Sequence, residues 1–274
     1  MTFERLVRFQ HKGKAVYGNL IKAESNKYTV QQLAGTVRNG FKAASNEQLT
    51  VSELLCPIED CPLIICIGLN YRHHAAEANL TIPTYPVVFT KPADALAGPH
   101  DSIAVHKSAQ SHLDYEGELT FVISRDFKNL PEEDFDLSEY VLGYTAGNDV
   151  SARNFQLPEA SGGQFCYSKS FDSFAPIGHC LVSPAQIPDP QTLKYTTRVN
   201  GEVRQTTGTD DMIWTVKDIL RHLSRGTTVR AGTVVMTGTP SGVGYFQNKF
   251  LKHGDIVEVE IEGVARLANK VVFE

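Results

Sequence analysis

The chain reads as an α+β protein in which β structure predominates. Its apolar segments are short and rich in β-branched and aromatic residues, as in Leu119-Thr120-Phe121-Val122-Ile123 and Thr233-Val234-Val235-Met236. Asn200-Gly201 lies between Tyr195-Thr196-Thr197-Arg198-Val199 and Glu202-Val203, a strong hairpin signal because both central positions need positive φ. The strand-like runs do not alternate with helical patterns in β-α-β order, which argues against a doubly wound sheet.

In chain order, Leu6-Val7-Arg8-Phe9 and Ala15-Val16-Tyr17-Gly18-Asn19-Leu20 read as short strands, followed by a polar stretch through Asn46. Pro57 and Pro62 bracket the acidic turn Glu59-Asp60, and a continuous apolar run begins at Leu63. This places a boundary near residue 60, with a small N-terminal β domain over 1–60 and a catalytic domain over 61–274. A strand ends at Ile67, and Asn70 is positioned to cap a short helix beyond it. Val87-Val88-Phe89 is strand-like. Leu130-Pro131-Glu132-Glu133 carries proline and acids suited to a first helical turn. The apolar run Tyr140 to Tyr144 predicts a strand that gives way to a loop near Asp149. Thr215 caps another helix, running through Ile219, Leu220 and Leu223 and stopped by Gly226. Val257, Val259 and Ile261 alternate with Glu258, Glu260 and Glu262, a half-solvated strand with its acids outward.

With 274 residues and 42% hydrophobic content, the chain can bury one sizeable core, alone or with a small appended domain. A net charge of −5 and a pI near 6.0 argue against nucleic-acid and membrane-surface partners, which need a basic face. No apolar run approaches the roughly 20 residues of a membrane span. The five cysteines, Cys56, Cys61, Cys66, Cys166 and Cys180, include no Cys-x-x-Cys and fit reduced thiols of an intracellular protein. The cytosol is the expected compartment. The start Met1 to Gln10 is a poor secretion signal and a weak mitochondrial one, which leaves a mitochondrial location open.

Four stretches carry candidate chemistry. In Leu113-Asp114-Tyr115-Glu116-Gly117-Glu118-Leu119, residues i and i+2 of a strand point to one side, so Glu116 and Glu118 project together. Asp149 is a third carboxylate candidate. Three adjacent carboxylates need a neutralising charge, and a hard divalent cation, Mg²⁺ or Mn²⁺, supplies it through oxygen ligands. The plainer alternative is a solvated face, as at Glu258, Glu260 and Glu262, with Asp149 a turn residue. His74 and Glu77 share a helical face at i, i+3, where a carboxylate can orient an imidazole as a general base. A local surface ion pair is the competing reading, and His73 has no partner at that spacing and is expected to be exposed. Lys169, among small polar and aromatic residues, suits a cation near an anionic substrate or enolate, or a solvent-facing lysine. Arg153 and Gln156 are candidates for a substrate carboxylate or carbonyl, or ordinary helix-surface residues. Thr237-Gly238-Thr239-Pro240-Ser241-Gly242-Val243-Gly244 lacks the Lys-Ser/Thr pair of a P-loop. Its glycines allow backbone N–H groups close to an anionic ligand, with the Thr239 hydroxyl assisting, or simply make a tight turn.

The order of these pieces resembles the fumarylacetoacetate hydrolase superfamily, in its short branch of acylpyruvases, oxaloacetate decarboxylases and oxaloacetate tautomerases. The matching residues are Gly68-Leu69-Asn70-Tyr71 with His74 and Glu77, Phe89-Thr90-Lys91-Pro92, Glu116-Gly117-Glu118-Leu119, Asn148 to Arg153 with Gln156, Lys169-Ser170-Phe171-Asp172, Arg198 to Glu202 and Thr237 to Gly244. The resemblance implies a mixed β-roll-like catalytic domain, a homodimer, and Mg²⁺ or Mn²⁺ held by Glu116, Glu118 and Asp149. It implies catalytic roles for His74, Glu77 and Lys169, with the dyad on a lid, and substrate contacts from Tyr71, Arg153, Gln156 and Thr239. The implied substrate is a small 2-oxo acid. The first expectation is C–C hydrolysis of an acylpyruvate-type 2,4-dioxo acid through an enolate, and the alternative is decarboxylation or tautomerisation of oxaloacetate. A catalytically silent metal-binding scaffold is the non-enzyme alternative, disfavoured by the intact dyad and Lys169. The chain lacks the long N-terminal domain of fumarylacetoacetase proper, and His73 stands where many relatives carry an acid.

Overall fold

The apolar runs become strands, and two of them are buried on both faces at the centre of a large mixed sheet. A computed structural model describes residues 3–24 and 27–274; Met1, Thr2, Ser25 and Asn26, which include part of the polar N-terminal stretch, lie outside the described residues. The first elements are β1 (Arg5–His11), β2 (Lys14–Glu24), β3 (Lys27–Thr36), β4 (Gly40–Val51), β5 (Ile64–Gly68), α1 (Arg72–Glu77), β6 (Val87–Lys91) and β7 (Ile103–Val105). The central pair follows as β8 (Gly117–Ile123) and β9 (Val141–Asn148), then β10 (Leu181–Val182), β11 (Lys194–Val199) and β12 (Glu202–Gly208). The chain continues through α2 (Val216–Ser224), β13 (Val234–Met236), β14 (Ile256–Ile261) and β15 (Ala265–Phe273).

Among the described residues the larger sheet has ten strands, in the order β4-β3-β2-β1-β10-β9-β8-β13-β5-β6. A second sheet runs β12-β11-β14-β15-β7. Every residue of β8 and β9 is buried, which is why these strands read as continuous apolar runs rather than alternating ones. On one face, Val259, Ile261 and Leu267 of the second sheet join Leu119, Phe121, Tyr144 and Ala146 in a single core. On the other, Ile64, Cys66, Val122, Leu142 and Val234 gather, so Cys66 is the core thiol its apolar run predicts. The architecture is α+β with β predominating. No helix among the described residues is long and apolar enough to cross a membrane.

Local predictions stand or fall for identifiable reasons. Asn200 and Gly201 adopt φ of 52° and 79°, and Val199 pairs with Glu202 across the turn. Val257, Val259 and Ile261 are buried, while Glu260 and Glu262 are exposed. Thr215 and Asp218 form a capping box on α2, and the helix ends just before Gly226, at φ 68°. The expected helix opening at Leu130 is absent. Arg221 donates to the carbonyls of Pro131 and Glu133 at 3.0 and 3.2 Å, claiming acceptors that helical bonding would need. The polar stretch through Asn46 forms β3 and β4, which extend the sheet through β1 and its pairing with β10. Its polarity fits its place, because β4 is an edge strand and most of its residues are exposed.

Candidate active site

Backbone register brings the three carboxylates together. Gly117 pairs with Asn148 and Glu118 with Gly147, so Glu116 and Asp149 flank the same end of the β8–β9 pair. The Glu116 N–H donates to Asn148 Oδ1 at 3.0 Å, and the Asp149 N–H donates to the Glu116 carbonyl at 2.9 Å. A Cβ at Gly117 would fall 2.0 Å from Thr197 Oγ1, so any larger residue between the glutamates would force Thr197 to shift. The result is a buried cluster in which one carboxylate oxygen each from Glu116, Glu118 and Asp149 lie within 4.8 Å of one another.

The charges around them are unevenly compensated. Lys169 Nζ lies 2.9 Å from Glu116 and 2.7 Å from Asp149, and Arg153 Nη2 lies 2.6 Å from Glu116. Burial raises the Glu116 carboxyl, but Lys169 and Arg153 outweigh it and hold it at about 2. Burial likewise opposes the charge on Lys169, yet Asp149 and Glu116 push its pKa above the ordinary lysine value. Glu118 is different. Burial raises it far above the carboxylate range, and the neighbouring Asp149 and Glu116 charges add to that rise. Its partner in the site is the Gly238 N–H, 2.7 Å from Oε2. Four buried acids (Asp114, Glu116, Glu118, Asp149) face three buried bases (Lys91, Arg153, Lys169). An all-oxygen donor set with one buried carboxylate short of a cation fits a hard divalent ion such as Mg²⁺ or Mn²⁺.

Two residues without an assigned role in the sequence reading belong to this network. Lys91 ends β6 fully buried, with Nζ 2.6 Å from Asp149 Oδ1 and hydrogen bonds to the Val150 and Phe174 carbonyls. Asp114 accepts from Arg153 Nε at 2.9 Å and from the Gly244 and Tyr245 N–H groups at 2.7 and 3.0 Å. The period-2 run Asp114, Glu116, Glu118 was the available signal for Asp114. Arg153 is 8% exposed rather than a surface residue, and its Nη1 donates to Gln156 Oε1 at 2.8 Å. Lys169, at 2% exposure, is not solvent-facing either.

The dyad is formed as spaced. His74 Nδ1 lies 3.2 Å from Glu77 Oε2, and Glu77 accepts the Gly242 N–H at 3.1 and 3.2 Å. The glycine-rich loop therefore aims its amides at the protein's own carboxylates: Gly238 at Glu118, Gly242 at Glu77 and Gly244 at Asp114. Thr239 donates to the Gly117 carbonyl at 3.0 Å and accepts from Gln205 Nε2 at 2.8 Å, tying this loop to the Glu116–Glu118 segment. Asn70 does not cap α1. Its side chain instead accepts the Trp214 N–H and donates to the Trp214 and Thr237 carbonyls. The helix begins after Tyr71, and Asp211 accepts the His73 N–H at 3.1 Å from across the fold. His73 is exposed as expected, but its ring also pairs with Asp211, 2.7 Å away. Tyr71 is fully buried, edge-on to Tyr195 in the core, and does not line the cavity described next.

Above the carboxylates opens a cavity of about 610 Å³ that brings together His74, Glu116, Arg153, Gln156, Lys169 and Thr239. The segment after α1 contributes Ala78, Leu80, Thr81 and Pro83 to its wall, and Phe246 lies edge-on to His74 with ring centroids 5.8 Å apart. His74 and Glu116 therefore face one space, while Glu77, Glu118 and Asp149 are not among the residues that line it.

A family profile described as fumarylacetoacetate (FAA) hydrolase C-terminal matches residues 63–272. Oxaloacetate tautomerase YisK of Bacillus subtilis is 38% identical over 269 residues, covering 94% of this chain and 88% of that protein. The mitochondrial oxaloacetate tautomerase fahd2 of Xenopus laevis is 41% identical over 221 residues, covering 80% of this chain and 68% of that one. The crystallised fumarylacetoacetate hydrolase from psychrophilic Exiguobacterium antarcticum has a TM-score of 0.85 at 32% identity, covering 98% of this chain and 99% of that chain. A 2-hydroxyhepta-2,4-diene-1,7-dioate isomerase from Mycobacterium marinum has a TM-score of 0.84 at 32% identity, covering 99% of both chains.

Proposed function

The chain belongs to the fumarylacetoacetate hydrolase family, and we propose that it is a divalent-metal-dependent enzyme that interconverts the keto and enol forms of a 2-oxo acid. The observation that carries this reading is the buried Glu116–Glu118–Asp149 cluster, short of one cation, whose Glu116 lines a cavity together with His74 and Lys169. A divalent ion held by those three carboxylates would act as a Lewis acid toward the carboxylate and keto oxygens of the substrate. In ketonisation His74 delivers a proton to C3 while the enol O–H proton is lost to solvent; in enolisation it takes the C3 proton while the C2 oxygen gains one from solvent. Glu77, itself held by the Gly242 N–H, orients the imidazole and stabilises its charged form. The Lys169 ammonium adds positive potential where oxyanion charge develops, in a dry wall that strengthens its effect. Arg153, held by Asp114, keeps Glu116 ionised. The name of the Bacillus subtilis relative, similar over nearly the whole chain, ranks tautomerisation ahead of hydrolysis.

C–C hydrolysis of an acylpyruvate is the second reading. It is favoured by the dyad, since a carboxylate-oriented histidine facing the cavity also suits activation of water. The test is a Mg²⁺-supplemented ultraviolet assay of oxaloacetate enol and an acylpyruvate in parallel, with pyruvate quantified at the end. Enol loss without pyruvate supports tautomerisation, whereas pyruvate plus an organic acid from the acylpyruvate moves the assignment to hydrolysis. Activity that survives Glu118→Ala undiminished would sink the metal role.

A further inference from the structure

The cavity's cations are already committed. Among the described residues, those lining it are His74, Arg153 and Lys169. Arg153 spends Nε and Nη2 on Asp114 and Glu116 and Nη1 on Gln156, at 2.6–2.9 Å. Lys169 is held by Glu116 and Asp149, and His74 by Glu77. A substrate's 2-oxo acid end would meet the carboxylate cluster and these groups. A second carboxylate at the far end would have no free cation, and burying one unpaired is costly.

Apart from Thr81, Gln156, Thr239 and the Tyr245 hydroxyl, the rest of the wall is apolar. Phe89 and Phe165 stand edge-on, 5.9 Å apart, with Lys169 Nζ 5.0 Å from the Phe89 ring. Tyr245 and Phe246 make a second pair, 5.3 Å apart, beside His74. Leu80 and Phe246 line the cavity while still 56% and 45% exposed, so a bound group can cover apolar surface that now meets water. Size points the same way. Oxaloacetate has nine non-hydrogen atoms and, even at the liquid-water allowance of about 30 Å³ each, fills about 270 Å³. That is less than half of the 610 Å³ present.

We propose that this site is shaped for 2-oxo acids whose end remote from the keto group is bulky and uncharged, in preference to dicarboxylates such as oxaloacetate. The proposal rests on the 2-oxo acid chemistry proposed above and departs from the substrate named for its tautomerase relatives. Specificity lies in the apolar wall residues Leu80, Val87, Phe89, Phe165, Val243 and Phe246, and the chemistry lies in the polar residues.

Unreactive oxamates test it without turnover. Oxamate, N-carboxymethyl oxamate and N-benzyl oxamate would be titrated calorimetrically into the Mn²⁺-loaded protein. The benzyl compound should bind at least ~10-fold more tightly than the carboxymethyl one, a difference of about 1.4 kcal/mol. Leu80→Arg, at an exposed position that tolerates charge, should raise carboxymethyl affinity about 10-fold and narrow the gap. Equal or tighter binding of the carboxymethyl compound by the unmodified protein would overturn the specificity while leaving the 2-oxo acid site intact. If oxamate itself fails to bind, the site reading fails and the specificity goes with it.

Discussion

Replacing Lys91 by methionine keeps most of the side chain's length and removes its charge from the most enclosed ion pair of the site. Lys91 and Asp149 have fully buried side chains 2.6 Å apart, and the ammonium also serves the Val150 and Phe174 carbonyls. Removing Lys91 leaves Asp149 with Lys169, 2.7 Å away, as its remaining cation in a site that is then two positive charges short, and breaking a buried pair costs about 3–5 kcal/mol. With unfolding entropy of about 2.1 cal/mol/K per residue, a 274-residue chain should lose about 5–9 °C in Tm. The loss should also depend on metal. Without Lys91, four acids face only Arg153 and Lys169, so a divalent ion at the triad replaces the missing charge. Thermal scans with EDTA and with saturating Mn²⁺ should therefore show a smaller drop in the metal-loaded protein. A shift under about 2 °C in both conditions would refute the view that Lys91 offsets the Asp149 charge. An equal loss in both would refute the link between that offset and the metal site.

Gly117→Ala puts a methyl 2.0 Å from Thr197 Oγ1, and the overpacking should cost about 1–3 kcal/mol and weaken Mn²⁺ binding in calorimetry. Adding Thr197→Ala should recover much of both losses; no recovery would mean that the clash is not the cause. His74→Ala should cut turnover by about 10²–10⁴-fold while leaving Mn²⁺ affinity nearly unchanged, and lost metal binding would end the assigned dyad role. Burial raises the thiols of Cys56, Cys61 and Cys180 to about 12 and that of Cys66 well above its ordinary value. Because the thiolate is the reactive form, alkylation of the native protein at pH 7 followed by mass spectrometry should modify Cys166 first and leave those four slow. The expected homodimer should elute at roughly twice 30.2 kDa in light scattering with sizing, and elution at the single-chain mass would remove that expectation.

What the sequence makes legible follows local periodicity and turn chemistry. Glu116 and Glu118 are recognisable because a period of two puts them on one side, and Asp149 because an apolar strand ends just before it. The Asn200-Gly201 turn and the Thr215 cap are equally local, decided within a few residues. Burial of charge is not local. Lys91 looks like the end of an ordinary strand until Asp149, 58 positions away, supplies its partner. Arg153 reads as a surface residue until Asp114 and Glu116 take its guanidinium. Asn70 has the chemistry of a helix cap, but Trp214 and Thr237 compete for its amide across the fold and win. The polar strands β3 and β4 escape the pattern because an exposed edge needs little apolar alternation. Their pairing comes from neighbours that already lie in the sheet.

The central claim is that Glu116, Glu118 and Asp149 hold a divalent ion that makes C3 of a 2-oxo acid exchangeable, a step shared by tautomerisation and hydrolysis. The most direct measurement is proton–deuterium exchange at C3 of pyruvate and of 2-oxo-4-phenylbutanoate in D₂O, followed by NMR with metal-loaded protein. Exchange well above the protein-free rate is expected, lost on EDTA treatment and in Glu118→Ala. Exchange that persists undiminished in Glu118→Ala, or none with a fully metal-loaded protein, would contradict the central claim.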